Sequence, residues 1–181
     1  MTNGGVVPQS ILLVPMGEAD AVIDRYRRRL DPSRRYEMPA HVTVLFPFMA
    51  PARISEAVLD QLGELFGRCD SFDFDLSEVR WFDDRVVHLA PSPVERFREL
   101  TAAVTAAFPE YPPYEGAFDD VKPHVTVGED APRLLMRAAG WMAKRSLPIK
   151  GRATEIWLMA IGDPGPTYRL VKAFPLRDGA N

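Results

Sequence analysis

The tetrapeptide His-Val-Thr-Val occurs twice, at 41–44 and 124–127, 83 residues apart in a chain of 181. Each copy sits in the same larger order of elements. The first half runs Ile-Leu-Leu-Val-Pro, helix, loop, Pro-Ala-His-Val-Thr-Val, helix, strand. The second runs Val-Val-His-Leu-Ala-Pro, helix, loop, Lys-Pro-His-Val-Thr-Val, helix, strand. A repeat of this length exceeds a solenoid unit. It predicts a single domain over 1–181 made of two pseudo-symmetric αβ lobes, with repeat units roughly 9–80 and 85–175, whose equivalent strands face each other.

Periodicity supplies the elements. Strands are expected over 9–15, 41–46, 72–76, 85–90, 124–127, 153–161 and 168–174, where β-branched and apolar residues run together or alternate. Helices are expected over 19–30, 51–66, 94–108 and 131–144. In the first helix Ala21, Val22, Tyr26 and Leu30 lie near one face, and the arginines between 25 and 29 read as a solvated face. The proline-bearing stretches 31–40 and 109–120 read as loops, and 162–166 as a turn.

The spacing inside the tetrapeptide has a chemical meaning. Side chains i and i+2 of a strand share a face. His41 and Thr43 therefore point one way and Val42 and Val44 the other; the same holds for His124 and Thr126 against Val125 and Val127. Two such strands facing each other would bring two imidazoles and two hydroxyls into one cleft. That set suits in-line displacement at phosphorus. A neutral imidazole takes the proton of the attacking water, and a protonated one gives a proton to the leaving oxygen. The threonine hydroxyls can donate to non-bridging phosphate oxygens. A single histidine in an apolar strand is more often a packed core residue. A duplicated buried pair needs a polar reason to exist.

Composition narrows the partners. With 22 basic and 25 acidic residues the formal net charge is −3, so long-duplex binding is not expected, whereas a nucleotide or short RNA end needs only a local basic patch. No run approaches the length of a membrane span. The start, MTNGGVVPQS, lacks the features of a secretion signal. The one cysteine, Cys69, can neither close an internal disulfide nor build a cysteine zinc site. A cytoplasmic monomer is the expectation.

Two His-x-Thr-x motifs about eighty residues apart resemble those of the two-histidine (2H) phosphoesterase superfamily. The flanks Pro39-Ala-His-Val-Thr-Val-Leu-Phe-Pro-Phe48 and Lys122-Pro-His-Val-Thr-Val127 are similar to its LigT-like branch of 2'-5' RNA ligases and RNA cyclic phosphodiesterases. The resemblance covers nearly the whole chain. It implies an α+β fold, two duplicated lobes with antiparallel sheets around a central cleft. It implies His41 and His124 as the acid–base pair and Thr43 and Thr126 as phosphate binders. It further implies opening of 2',3'-cyclic phosphates on RNA ends or nucleotides without metal or cofactor, and weak 2'-5' ligation in reverse. A binding module of the same fold that holds a nucleotide or RNA end without turnover is the alternative.

Other residues carry smaller expectations. The second motif continues Gly128-Glu129-Asp130, where several family members have a cation; Asp130 reads as the cap of the helix that follows. His88 reads as sheet packing or at most cleft lining. A metal site from His41, His88 and His124 is not favoured, because no carboxylate or thiolate stands at ligand spacing. Tyr36, Tyr114 and Lys122 are candidate substrate contacts. Phe46 is expected on the core side with Val42 and Val44, and Trp81, Trp141 and Trp157 in the core.

Overall fold

In the computed structural model, residues 7–118, 120–162 and 165–178 are described. The alternating and apolar runs become two antiparallel four-stranded sheets. The first has the order β2-β1-β7-β8, from β1 (Gln9–Pro15), β2 (His41–Leu45), β7 (Glu155–Gly162) and β8 (Gly165–Pro175). The second has the order β5-β4-β3-β6, from β3 (Phe72–Phe82), β4 (Val86–Ser92), β5 (Val125–Glu129) and β6 (Ile149–Ala153). Of the turn expected over 162–166, Asp163 and Pro164 lie outside the described residues.

Neither sheet is made from one contiguous repeat. β3, from the first half of the chain, lies in the second sheet; β7 and β8, from the second half, lie in the first. The helices exchange in the same sense. α1 (Gly17–Leu30), which follows β1, packs against β5 of the other sheet. α3 (Glu95–Ala107), which follows β4, packs against β2. α2 (Glu56–Phe66) lies against β8, and α4 (Arg133–Lys144) against β3, β4 and β5. One continuous apolar core joins the inner faces of both sheets.

Several local expectations shift. The second helix starts at Glu56 rather than 51: Ser55 caps it by accepting from the Val58 amide, and Pro51–Arg53 is a short 3-10 turn before it. β3 runs to Phe82, well past 76, because it pairs with β4 as a hairpin around Asp83 and Asp84. β6 is a strand beyond those expected, since Ile-Lys-Gly-Arg-Ala shows no apolar run. The buried stripe of α1 is Ala19, Ile23, Arg27 and Leu30, rotated from the expected one. Arg27, expected in solvent, is 1% exposed. α4 has no side-chain cap: Pro132 precedes it, while Asp130 pairs with Arg85 at 2.8 and 2.7 Å. Trp141 is exposed rather than buried, and Trp81 and Trp157 are half-buried. Among the described residues no helix is long and apolar enough to cross a membrane.

Candidate active site

Both motifs carry the same irregularity. In the β1–β2 ladder Leu13 stands opposite Thr43 but Leu12 opposite Leu45, so Val44 is an extra residue. In the β4–β5 ladder His88 stands opposite Thr126 but Val87 opposite Gly128, so Val127 is extra. Each is a β-bulge directly after the threonine, and a bulge changes which face later residues occupy. Val44 and Leu45 are both buried, as are Val127 and Gly128. Phe46 is thereby moved off the core side. It packs with Ile11, Leu13, Met38 and Met159 on the opposite face, correcting the expectation that it shares the face of Val42 and Val44.

The two motifs meet. β2 and β5 approach within 8 Å between Cα atoms, and each valine set is buried while each histidine and threonine is half-buried. Nδ1 of His41 lies 2.8 Å from the Pro39 carbonyl oxygen, and Nδ1 of His124 lies 2.8 Å from that of Lys122. A carbonyl can only accept, so each Nδ1 carries the donated proton and Nε2 is left as the ring nitrogen that can exchange one. The identical wiring follows from the identical geometry: the carbonyl two residues back sits under the ring.

The surroundings of the imidazoles favour the neutral form. Burial pulls the pKa of His41 down to about 4 against the opposing Pro39 carbonyl, and the charges of Arg27 and His124 act in the same direction as burial. Burial also lowers that of His124, with the Lys122 carbonyl opposing. Arg27 is held behind His41 by Asp31 at 2.9 Å, Asp20 at 3.3 Å and the Met38 carbonyl at 3.0 Å. Asp20 in turn accepts from the Ala40 amide at 3.0 Å. This network fixes 31–40, the segment that delivers the Pro39 carbonyl and His41.

Tyr114 is brought to the site and Tyr36 is not. The Tyr114 phenol lies beside Thr43, and burial raises its pKa. Its amide donates to the Phe46 carbonyl at 2.6 Å, and its ring meets Phe46 and Phe118 edge-on. The loop that places it is held in the left-handed region at three consecutive residues, Tyr114, Glu115 and Gly116, with φ of 51, 55 and 78°. Tyr36 is exposed, on the side of Tyr168. Lys122 contributes its carbonyl to His124, and its side chain is exposed with its charge felt at His88.

His88 and Phe82 are the residues that sequence reasoning undervalues or misses. His88 stands opposite Thr126 and is 3% exposed. Phe82 stacks on it and meets His124 edge-on. The signal for both lies in the Asp83-Asp84 turn. A hairpin there pairs Phe82 with Val86 and Arg80 with His88, which puts Phe82 and His88 on one face. Among the described residues no three of His, Cys, Asp or Glu come together as metal ligands. A surface concavity of ≈ 540 Å³ beside Pro15, Arg152 and Trp157 contains none of the motif residues.

Two sheets facing each other through a histidine and a threonine apiece define a 2H phosphoesterase fold. The sequence profile of the 2'-5' RNA ligase superfamily matches residues 15–164, and the chain belongs to that superfamily. Solved structures share the fold. Escherichia coli LigT in complex with NADP+ is 20% identical, with a TM-score of 0.57 over 96% of this chain and 100% of that one. The same protein with 3'-AMP gives 17% identity and a TM-score of 0.59 over 96% and 100%. TT0787 of Thermus thermophilus gives 19% and 0.59 over 95% and 100%. A comparison with curated proteins finds no match.

Proposed function

We propose that this protein is a metal-independent phosphodiesterase that opens cyclic phosphates, of the kind found on 2',3'-cyclic nucleotides and RNA ends, by acid–base catalysis between His41 and His124. The observation that carries the reading is the duplicated wiring: each imidazole gives Nδ1–H to the carbonyl two residues back, and its Nε2 makes no hydrogen bond among the described residues. In this reaction a water oxygen attacks phosphorus while one neutral Nε2 takes its proton. The other imidazole, protonated, gives its proton to the departing ribose oxygen, and the product is a phosphate monoester. Thr43 and Thr126 hold the non-bridging oxygens. Tyr114, whose phenol lies beside Thr43, is placed to orient that hydroxyl. Superfamily membership supports phosphodiesterase or ligase chemistry of this general kind.

A second reading, a nucleotide-holding module without turnover, has one observation in its favour: burial keeps both imidazoles towards the neutral form, and a holder needs no protonated acid. Escherichia coli LigT has been solved with 3'-AMP and with ATP, which makes nucleotides a sensible probe class for either reading. Hydrolysis of a 2',3'-cyclic mononucleotide in EDTA separates them. The wild type should turn over, and H41A and H124A should each lose about a hundredfold or more, the scale of one general acid or base. Binding without turnover by the wild type selects the second reading.

A further inference from the structure

The two walls of the cleft differ at one matched position. Thr43 stands opposite Leu13, and Thr126 stands opposite His88. Directly opposed residues of an antiparallel pair share a face, so His88 belongs to the wall of Thr126 and His124. It is almost fully buried, and its Nδ1 makes no well-formed hydrogen bond among the described residues, the Val86 carbonyl being only a weak backbone partner. A buried, poorly paired ring nitrogen costs stability, and leucine fills the matching place on the other wall without that cost.

The ring contacts show what the imidazole does there. Phe82 stacks on His88 at 4.0 Å between centroids and an interplanar angle of 25°. Phe82 also meets His124 at 4.9 Å and 89°, and His88 meets His124 at 5.3 Å and 67°. His124 is therefore gripped by two edge-to-face contacts as well as by the Lys122 carbonyl. His41 has no ring contact of this kind among the described residues. The hydrogen bond fixes one end of the His124 ring, and the two aromatic contacts oppose rotation about that bond.

We propose that His88, stacked on Phe82, is a positioning residue that clamps the His124 imidazole in its working orientation and so distinguishes the two catalytic histidines that the repeat makes alike. This deepens, and rests on, the reading of His124 as a proton-transfer group. The clamp acts through His124, so its loss falls on turnover rather than on substrate affinity. It also shields His124 from water. The titratable and charged groups around the pair are His41 across the cleft on β2, Arg80 on β3, Lys122 on the segment before β5, and Glu129 at the end of β5. Tyr114 lies on the loop near Thr43, and Arg27 and Asp31 lie behind His41. All stay in place in the variants below.

The test compares H88L, which copies the other wall, with H88F, which keeps a stacked ring. H88L should lower kcat about tenfold on a 2',3'-cyclic mononucleotide and leave KM within about twofold, as expected for lost orientation. The His124 imidazole resonance, followed by NMR against pH, should titrate about half a pH unit higher as water reaches the ring. H88F should restore most of the turnover and the wild-type titration. An unchanged His124 titration in H88L overturns the clamp, whatever happens to kcat. Should H88L not fold, F82L removes the stack from the other side and must show the same upward move; no move there overturns the proposal. If the wild type opens no cyclic phosphate, the catalytic reading fails and the titration alone decides the clamp.

Discussion

Replacing Arg27 by methionine tests whether the first motif is held in place by a buried charge network. The Arg27 and Asp31 side chains are each 1% exposed and lie 2.9 Å apart. Methionine fills much the same volume but leaves Asp31 buried without its cation. It also removes the bond to the Met38 carbonyl. Breaking a buried pair from one side costs about 3–5 kcal/mol, a large part of the roughly 5–15 kcal/mol that stabilises a domain of this kind. Urea unfolding at pH 7 should show a loss of that size. R28M removes an exposed arginine paired with Asp24 and should change stability by less than about 1 kcal/mol. A second readout concerns His41, since the Arg27 charge helps to hold its pKa at about 4. Without Arg27 that pKa rises towards the ordinary value, so the limb of kcat/KM that His41 sets moves to higher pH. A stability loss below about 1 kcal/mol, the size seen for surface pairs, would refute the structural argument. A limb that stays put or moves to lower pH would refute the electrostatic one.

Other outcomes follow from the same geometry. T43A and T126A should each lose less turnover than either histidine variant, because one neutral donor goes while both proton shuttles stay; a threonine loss as large as a histidine loss would contradict the assignment. In the free enzyme both imidazoles lie below their ordinary value of 6.5, so the bell of kcat/KM should fall on the acid side of pH 6.5. The bell for kcat should sit higher, because bound phosphate favours the protonated acid; a kcat/KM bell centred above about pH 7 would rule out neutral buried imidazoles. G128A should cost about 1–3 kcal/mol in urea unfolding, the range for overpacking, because its Cβ would lie 2.9 Å from that of Leu30. Wild-type stability in G128A would mean that α1 does not press on β5 as described.

The repeated motif makes the α+β class, most elements and the shared strand face of each histidine and its threonine legible, because strand alternation is a local property of His-Val-Thr-Val. What escapes is non-local. Arg27 sits among Asp24, Arg25, Arg28 and Arg29 on a helix whose pattern alone reads as solvated. Only the loop 31–40, folded back so that the Met38 carbonyl and Asp31 meet the guanidinium, buries it. Phe46 follows strict alternation onto the core side until a one-residue bulge moves it to the other face. Asp130 has good capping chemistry, but Arg85 across the ladder claims its carboxylate and its backbone turns left-handed at φ 47°. β6 escapes because Lys150, Gly151 and Arg152 carry no apolar signal, and pairing with the distant β3 is what makes the segment a strand.

The exchange of elements between the two halves explains why a duplicated motif can act as one site. Each histidine strand is backed by the helix that belongs to the other half. β2 is met by α3, where the Thr101 hydroxyl donates to the Val44 carbonyl at 2.9 Å. β5 is met by α1, where Leu30 packs on Gly128 so closely that no Cβ fits between them. Both contacts fall at a bulge: Val44 is the extra residue of the first, and Gly128 follows the extra residue of the second. A bulge frees backbone groups and bends the strand locally, and in each case a helix of the opposite half occupies that point. If each lobe were built only from its own contiguous half, the cleft would open and close on a linker, and the distance between His41 and His124 would vary with it. With α1 and α3 crossed over, motion of one motif strand must drag the core of the other. The proposed proton transfer at two ends of one phosphodiester needs that separation held to a fraction of an ångström, and crossed helices over a shared core supply that rigidity.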